Sequence, residues 1–252
     1  FKPMRLEIRK KQAENTIFQK NRKLKLVVPC QNEKGKDELI YKEMLAYKFF
    51  EEFSNVHLKT QPLTLKIIEK KGNKEIEHTM FAFLIEDDDK VADRHEIKKF
   101  PKRRVSPMTV SDSSAINFAL FSYMIGNTDW SMAYQHNTEM FFNGKKLVAI
   151  PYDFDHSGLV NAFYAKPNPM LKISKVTERV YRGLCRRDPN VFAGMRDLYI
   201  SKEERIFNIL NAYKDNLSSK EFERVSSYVK SFYDIIKSDT EFQNKILSKC
   251  RG

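Results

Sequence analysis

Apolar and polar residues alternate through the first part of the chain and then give way to a longer period. In Met4-Arg5-Leu6-Glu7-Ile8-Arg9, Met4, Leu6 and Ile8 share one face. Lys23 to Val28 repeats the alternation until Pro29 stops it, so both segments are predicted strands. After a polar loop with Gly35, residues 38–53 bring Leu39, Ile40, Met44, Leu45, Tyr47, Phe49 and Phe50 near a helical period and predict an amphipathic helix. Two more strands are predicted at 63–68 and 79–85, around a turn at Gly72-Asn73. The acidic break Glu86-Asp87-Asp88-Asp89 follows, and beyond it the pattern is mainly helical. Residues 112–126 are nearly all apolar, with Asp112 or Ser113 as N-cap and Gly126 as C-cap, which predicts a deeply buried helix. Further helices are predicted at 174–186, 188–198, 202–216 and 219–237. The expected class is α+β, with a small antiparallel sheet and one helix in residues 1–88 and a larger, mainly helical part in residues 89–252.

The densest chemistry lies between Gly126 and Gly158. Gly126-Asn127-Thr128-Asp129-Trp130 and Gln135-His136-Asn137 precede the apolar stretch Met140 to Ile150, and Pro151-Tyr152-Asp153-Phe154-Asp155-His156-Ser157-Gly158 follows it. The Asn143-Gly144 pair predicts a β-hairpin there. A hairpin returns the chain to its start, so Asp129, Asn137, Asp153 and Asp155 can converge. An Asp, an Asn and a further Asp around one cavity suit Mg²⁺-assisted phosphoryl transfer, in which one carboxylate orients the nucleophile and the others hold the metal.

Charge narrows the partners. The 252 residues carry a formal net charge of +12, which favours anionic partners such as nucleotides or phosphorylated substrates. The densest basic runs are Arg5 to Lys11 and Lys98 to Arg104, and the plainer reading of each is a solvated surface. Arg179, Arg182 and Arg186 fall at i, i+3 and i+7 of a predicted helix, a spacing that suits a phosphorylated or acidic substrate. Cys30, Cys185 and Cys250 are widely spaced, which argues against a zinc site and leaves one bridge open. No apolar run reaches the roughly 18 residues of a membrane-crossing helix. The chain opens on Phe1, so a cytoplasmic protein and one exported after loss of a leader both stay open.

The order of these elements, with the residues of 126–158, resembles the protein-kinase-like fold in its atypical branches, the HipA-like, lipid-kinase-like and aminoglycoside-phosphotransferase-like families. Their catalytic loops look like Asn-x-Asp-x-His-x-x-Asn and their metal loops like Ile-Asp-Phe-Asp. The chain is also similar to uncharacterised bacterial proteins carrying Gly-Asn-Thr-Asp-Trp and Pro-Tyr-Asp-Phe-Asp. The resemblance implies a two-lobed fold and Mg²⁺-ATP-dependent phosphotransfer to a hydroxyl-bearing acceptor. It implies Asp129 as the catalytic Asp, Asn137 and Asp153 as metal ligands, and Asp155 as an auxiliary one. Lys25 would hold the α- and β-phosphates with Glu43 as its ion-pair partner, and Phe83-Leu84-Ile85-Glu86 would form the hinge, with Phe83, Ile85 and Glu86 offering backbone groups to adenine. The sequence departs from the pattern in four ways. Residues 5–25 contain no glycine, the Asp129-to-Asn137 gap is longer than usual, His136 directly precedes Asn137 where a His usually sits within two residues of the Asp, and Lys23 shares a face with Lys25.

Three other readings stand beside this one. The missing Gly-rich loop suits a non-catalytic kinase-like binding module. His136 and His156, with the aspartates, suit a metal-dependent hydrolase. The net charge suits a nucleic-acid-binding protein, although no helix-turn-helix, zinc or aromatic-basic motif supports it. Plainer roles are also open: turn chemistry for Asp129, a core or cleft-wall position for Trp130, and a Pro-stiffened connector for Tyr164 to Pro169.

Overall fold

The computed structural model describes residues 4–29 and 35–252; Cys30 and Phe1 lie outside them. The fold is α+β. Strands β1 (Met4–Glu7), β2 (Lys23–Val27), β3 (Thr60–Lys71) and β4 (Lys74–Ile85) form an antiparallel sheet in the order β1-β2-β4-β3. The β3–β4 hairpin turns at Gly72, as the sequence predicts, but its arms run well beyond the expected strands. A short helix, α1 (Lys10–Ala13), interrupts the β1–β2 connection.

Alternation gives this sheet two apolar faces. Phe81, Phe83 and Ile85 of β4 meet helix α2 (Lys36–Glu51), where Tyr41 stacks on Phe81 and Tyr47 meets Phe83 edge-on. Met80 and Ala82 point the other way and gather Val28, Leu26, Leu63 and Leu65 into a smaller cluster. Lys25 pairs with Ile85 and so lies on the α2 side.

The acidic break is not a loop. Asp87 caps helix α3 (Asp88–His95) by accepting the Asp89 N–H, and carboxylates in a first turn suit the helix dipole. Strand β5 (Lys98–Lys99) joins the hairpin of β6 (Thr138–Phe142) and β7 (Leu147–Pro151) in a second sheet, β5-β6-β7. The buried helix α4 (Asp112–Ile125) precedes that hairpin. Its N-cap is Ser111, one residue before the predicted caps, and Gly126 closes it at φ 64°. Helices α5 (Pro189–Ser201), α6 (Glu203–Ala212), α7 (Ser219–Lys237) and α8 (Asp239–Lys245) complete the chain. α6 stops short of the predicted end, and a 3₁₀ turn takes up Lys214–Asn216.

One apolar core runs from Ile40 in α2 through Leu120 and Phe121 in α4 to Phe232 in α7 and Ile246, so the two expected parts share an interior. Among the described residues no helix is long and apolar enough to cross a membrane.

One predicted helix fails. Residues 174–186 are irregular, ending in an isolated bridge between Leu184 and Arg251. The β-branched Ile173, Val176, Thr177 and Val180 weaken helical preference. Gly183 is packed so closely that a Cβ would stand 2.8 Å from the Ala119 Cβ and 2.4 Å from the Tyr181 hydroxyl. The i, i+3, i+7 row of arginines therefore does not form.

Candidate active site around Asp129 and Asp153

The stretch from Gly126 to Gly158 closes on itself. The Gly158 N–H donates to the Gly126 carbonyl at 3.1 Å, and the Leu159 N–H to Ile125 at 2.9 Å. Both glycines lie beneath Tyr228, where a Cβ on either would come within 2.4 Å of the hydroxyl. Between them the β6–β7 register pairs Thr138 with Pro151, and the Tyr152 N–H donates to the Asn137 carbonyl. The hairpin thus sets Asn137 beside the start of the Tyr152-Asp153-Phe154-Asp155 loop, as its turn chemistry predicts.

Asp129 is fixed from its own loop. Its N–H donates to Asn127 Oδ1 at 2.9 Å, an Asx turn. Asn137 Nδ2 donates both to the Asp129 carbonyl at 2.8 Å and to Asp129 Oδ2 at 3.2 Å. With its nitrogen committed, Asn137 keeps Oδ1 free of hydrogen bonds from the described residues. His136 Nε2 meets Asp129 Oδ1 at 3.0 Å. Gln135 and Asn137 both adopt left-handed backbone, φ 51° and 48°, an uncommon conformation for residues with side chains. Trp130 is core: its ring meets Phe118 edge-on, and Nε1–H donates to Asn127.

The Asp153 loop hangs from α2. Its strand ends at Pro151, and Asp153 turns left-handed at φ 64°, so Asp153 and Asp155 are not alternating positions of one strand. The Asp153 N–H donates to the Tyr47 hydroxyl at 2.9 Å. Glu43, one helical turn before Tyr47, accepts the Phe154 N–H. The Phe154 ring packs against Tyr47 and Phe121. Burial, and then Asp153 and Asp155, push Glu43 well above the usual carboxylate range. Burial, then Asp155 and Asp129, push Asp153 up to about 6, although the residue as a whole is exposed.

Glu43 therefore holds loop backbone, and the expected Lys25–Glu43 ion pair does not form among the described residues. The Lys25 ammonium lies 4.5 Å from the centre of the Tyr152 ring, and its charge tempers both Asp153 and Asp88. Lys23 instead lines a cleft of about 970 Å³ with residues of the β1–β2 connection, Glu86 and Asp87. Of the expected hinge, Phe83 and Ile85 are buried in the core, and Glu86 alone reaches that cleft, paired with Arg94 at 2.8 Å. Neither Asp129, Asn137, Asp153 nor Asp155 lines it.

Only one set of three carboxylates has its oxygens within 4.8 Å of one another among the described residues: Asp87, Asp88 and Asp89. Asp88 there is bound to Lys99 at 2.6 Å and Asp87 caps α3, so local partners occupy the set. Asp129, Asp153 and Asp155 sense one another electrostatically without meeting that spacing.

Each of the arginines expected to bind substrate holds backbone of a neighbouring segment. Arg179 donates to the carbonyls of Met124 and Tyr228 and to Ser231 Oγ. Arg182 donates to the carbonyls of Thr128 and Trp130, on either side of Asp129, at 2.6 and 2.9 Å. Arg186 turns away to Asp112 and the Pro107 carbonyl. The basic run near Lys98 is likewise engaged: Lys99 with Asp88, Lys102 with Glu139, and Arg103 over Phe100.

Sequence reasoning missed Tyr47. It stands at i+4 from Glu43 on a helix that was predicted, so the shared face was available as a signal. It also missed Arg224, whose guanidinium holds the carbonyls of Gly158 and Leu159 while pairing with Glu221, itself bound to the buried Lys42 of α2. No protein-family model, no curated protein and no solved structure matches the chain.

Proposed function

We propose that this protein is a two-lobed, kinase-like phosphotransferase that uses Mg²⁺-ATP to phosphorylate a hydroxyl-bearing acceptor. One observation carries the reading: Asn137 grips both the backbone and the carboxylate of Asp129 while the same hairpin delivers Asp153. Asp129 orients the acceptor hydroxyl and takes its proton. Its solvent access and its two side-chain partners suit that task.

The donor set fits a hard divalent cation. Two carboxylates and an amide oxygen are oxygen ligands of the kind Mg²⁺ takes, and His136 and His156 each stand beside an aspartate. Burial, and then Asp155 and Asp129, make the Asp153 carboxylate costly to ionise, a cost that a bound cation would lower. Asp153, Asp155 and Asn137 Oδ1 would hold Mg²⁺, which when bound neutralises charge on the transferring phosphoryl group. Lys25, free of Glu43, lies where it tempers Asp153 and would meet phosphate oxygens. Glu43 and Tyr47 position the loop.

A second reading, nucleotide binding without transfer, is favoured by the unformed Lys25–Glu43 pair and by the glycine-free β1–β2 connection. Calorimetric titration of ATP with and without Mg²⁺ separates the outcomes. Phosphotransfer expects Mg²⁺-dependent binding that Asp153→Ala abolishes, and turnover that Asp129→Ala removes while binding persists. Binding with no turnover in any condition supports the second reading. No ATP binding in the wild type overturns both.

A further inference from the structure

A second cavity, of about 740 Å³, lies behind the Asp129 loop. Five of its lining residues are cationic: Arg179, Arg182, Lys245, Lys249 and Arg251. No Asp or Glu lines it among the described residues. Its wall is apolar where Tyr123, Tyr181 and Ile235 contribute. The two deeper arginines donate to neutral carbonyls and a hydroxyl. These bonds leave N–H groups over on each guanidinium, the buried Arg182 Nε among them, and do not compensate the charge. Lys245 pairs with Glu241 at 3.0 Å, whereas Lys249 has no carboxylate partner among the described residues.

This cluster of like charges is held by construction. The Cys185–Cys250 disulfide ties the final segment to the irregular stretch before α5. The Arg251 N–H donates to the Gly183 carbonyl at 2.9 Å, the Cys185 N–H to the Arg251 carbonyl at 2.8 Å, and the Arg251 side chain to the Arg182 carbonyl. Repulsion would spread an untethered arm carrying Lys249 and Arg251 away from Arg179 and Arg182. The cross-link and the short bridge keep them together. Burial, and then Arg251, lower the Arg182 pKa, and the charge of Asp129 offsets this only in part.

We propose that this cavity is a second ligand site, for a compact anion bearing two or more negative charges, and that the Cys185–Cys250 disulfide keeps its cations in place. Paired, planar guanidiniums under a rim of ammonium groups suit phosphate or carboxylate oxygens. The site is separate from the Mg²⁺-ATP reading and stands or falls without it.

The test is calorimetric titration of the oxidised full chain with tripolyphosphate and, in parallel, citrate, in metal-free buffer at low salt. Trp130, the one tryptophan, lies 4.9 Å from the Arg182 guanidinium and gives a fluorescence signal for occupancy. Saturable binding of at least one probe is expected, weakened about tenfold by Lys249→Glu and kept in Lys25→Ala. Tripolyphosphate alone binding assigns a phosphate ligand, citrate alone a carboxylate, and both assign charge as the criterion. Absence of saturable binding, or binding that Lys249→Glu leaves unchanged, overturns the site. Lys249 is exposed, so the variant is expected to fold. Disulfide reduction is expected to weaken binding about as much; unchanged affinity in folded, reduced protein overturns the role given to the cross-link.

Discussion

Two charge clusters flank the Asp129 loop, and they bear their repulsion differently. Around Glu43 and Asp153, burial and then the neighbouring carboxylates raise the pKa and favour the protonated form, a relief from charge. Around Arg179, Arg182 and Arg251 that relief is closed, because a guanidinium keeps its proton in any ordinary solution. The first cluster is held by a loop hung from α2, the second by a covalent cross-link. An acidic centre can therefore wait for a cation in a partly neutral state, whereas a guanidinium centre needs mechanical restraint until an anion arrives.

The largest break in this comparison is expected at the Asp129 carboxylate. If the phosphotransfer reading holds, Asp129→Asn lowers kcat by about 10²–10⁴-fold in a steady-state assay and leaves ATP affinity nearly unchanged. Reducing the Cys185–Cys250 bridge, which spans a sequence separation of 65 residues, is expected to cost about 4 kcal/mol, measured by denaturant unfolding with and without reductant. Replacing Gly126 by Ala meets both a φ of 64° and the Tyr228 hydroxyl at 2.1 Å, and is expected to cost about 2–4 kcal/mol in the same assay.

Smaller effects sharpen the contrast. Because the folded state raises Asp153 to about 6, ionising it opposes folding; stability from this group is lost as pH rises from the unfolded value of about 3.9 through 6. Asp153→Asn should then stabilise the metal-free protein at pH 7 by about 1 kcal/mol, after allowance for solvent screening, and the gain should vanish near pH 4. Thermal melts across that window check it. Arg186→Ala is expected to change tripolyphosphate affinity by less than about twofold, since Arg186 lies outside the cavity and pairs with Asp112.

Local rules made much of the frame legible. Alternation located β2 and the arms of the β3–β4 hairpin, the Asn143-Gly144 turn located β6 and β7, and Gly126 marked the end of α4. The hairpin argument also brought Asn137 to the Asp153 loop. What escaped depended on contacts distant in sequence. Glu43 reads as a lysine partner until the Phe154 N–H and Tyr47 are seen beside it. Arg179 and Arg182 fit a helical period that Gly183 packing and carbonyl bonds to Met124 and Thr128 override. The sequence left one bridge open among three cysteines; proximity across the fold selects Cys185 and Cys250.

The closure of Gly158 onto Gly126 has a practical consequence. A segment whose two ends are stitched together is anchored at its base, and its tip projects past the last contacts that Phe142 and Leu147 make with Lys98 and Val110. That tip is the turn Asn143 to Lys146, which is fully exposed. A fluorescent label or short epitope grafted between Gly144 and Lys145 would travel with the hairpin and leave its stitched base unchanged. It would report from within the candidate active-site segment while every residue assigned a role here stays in place.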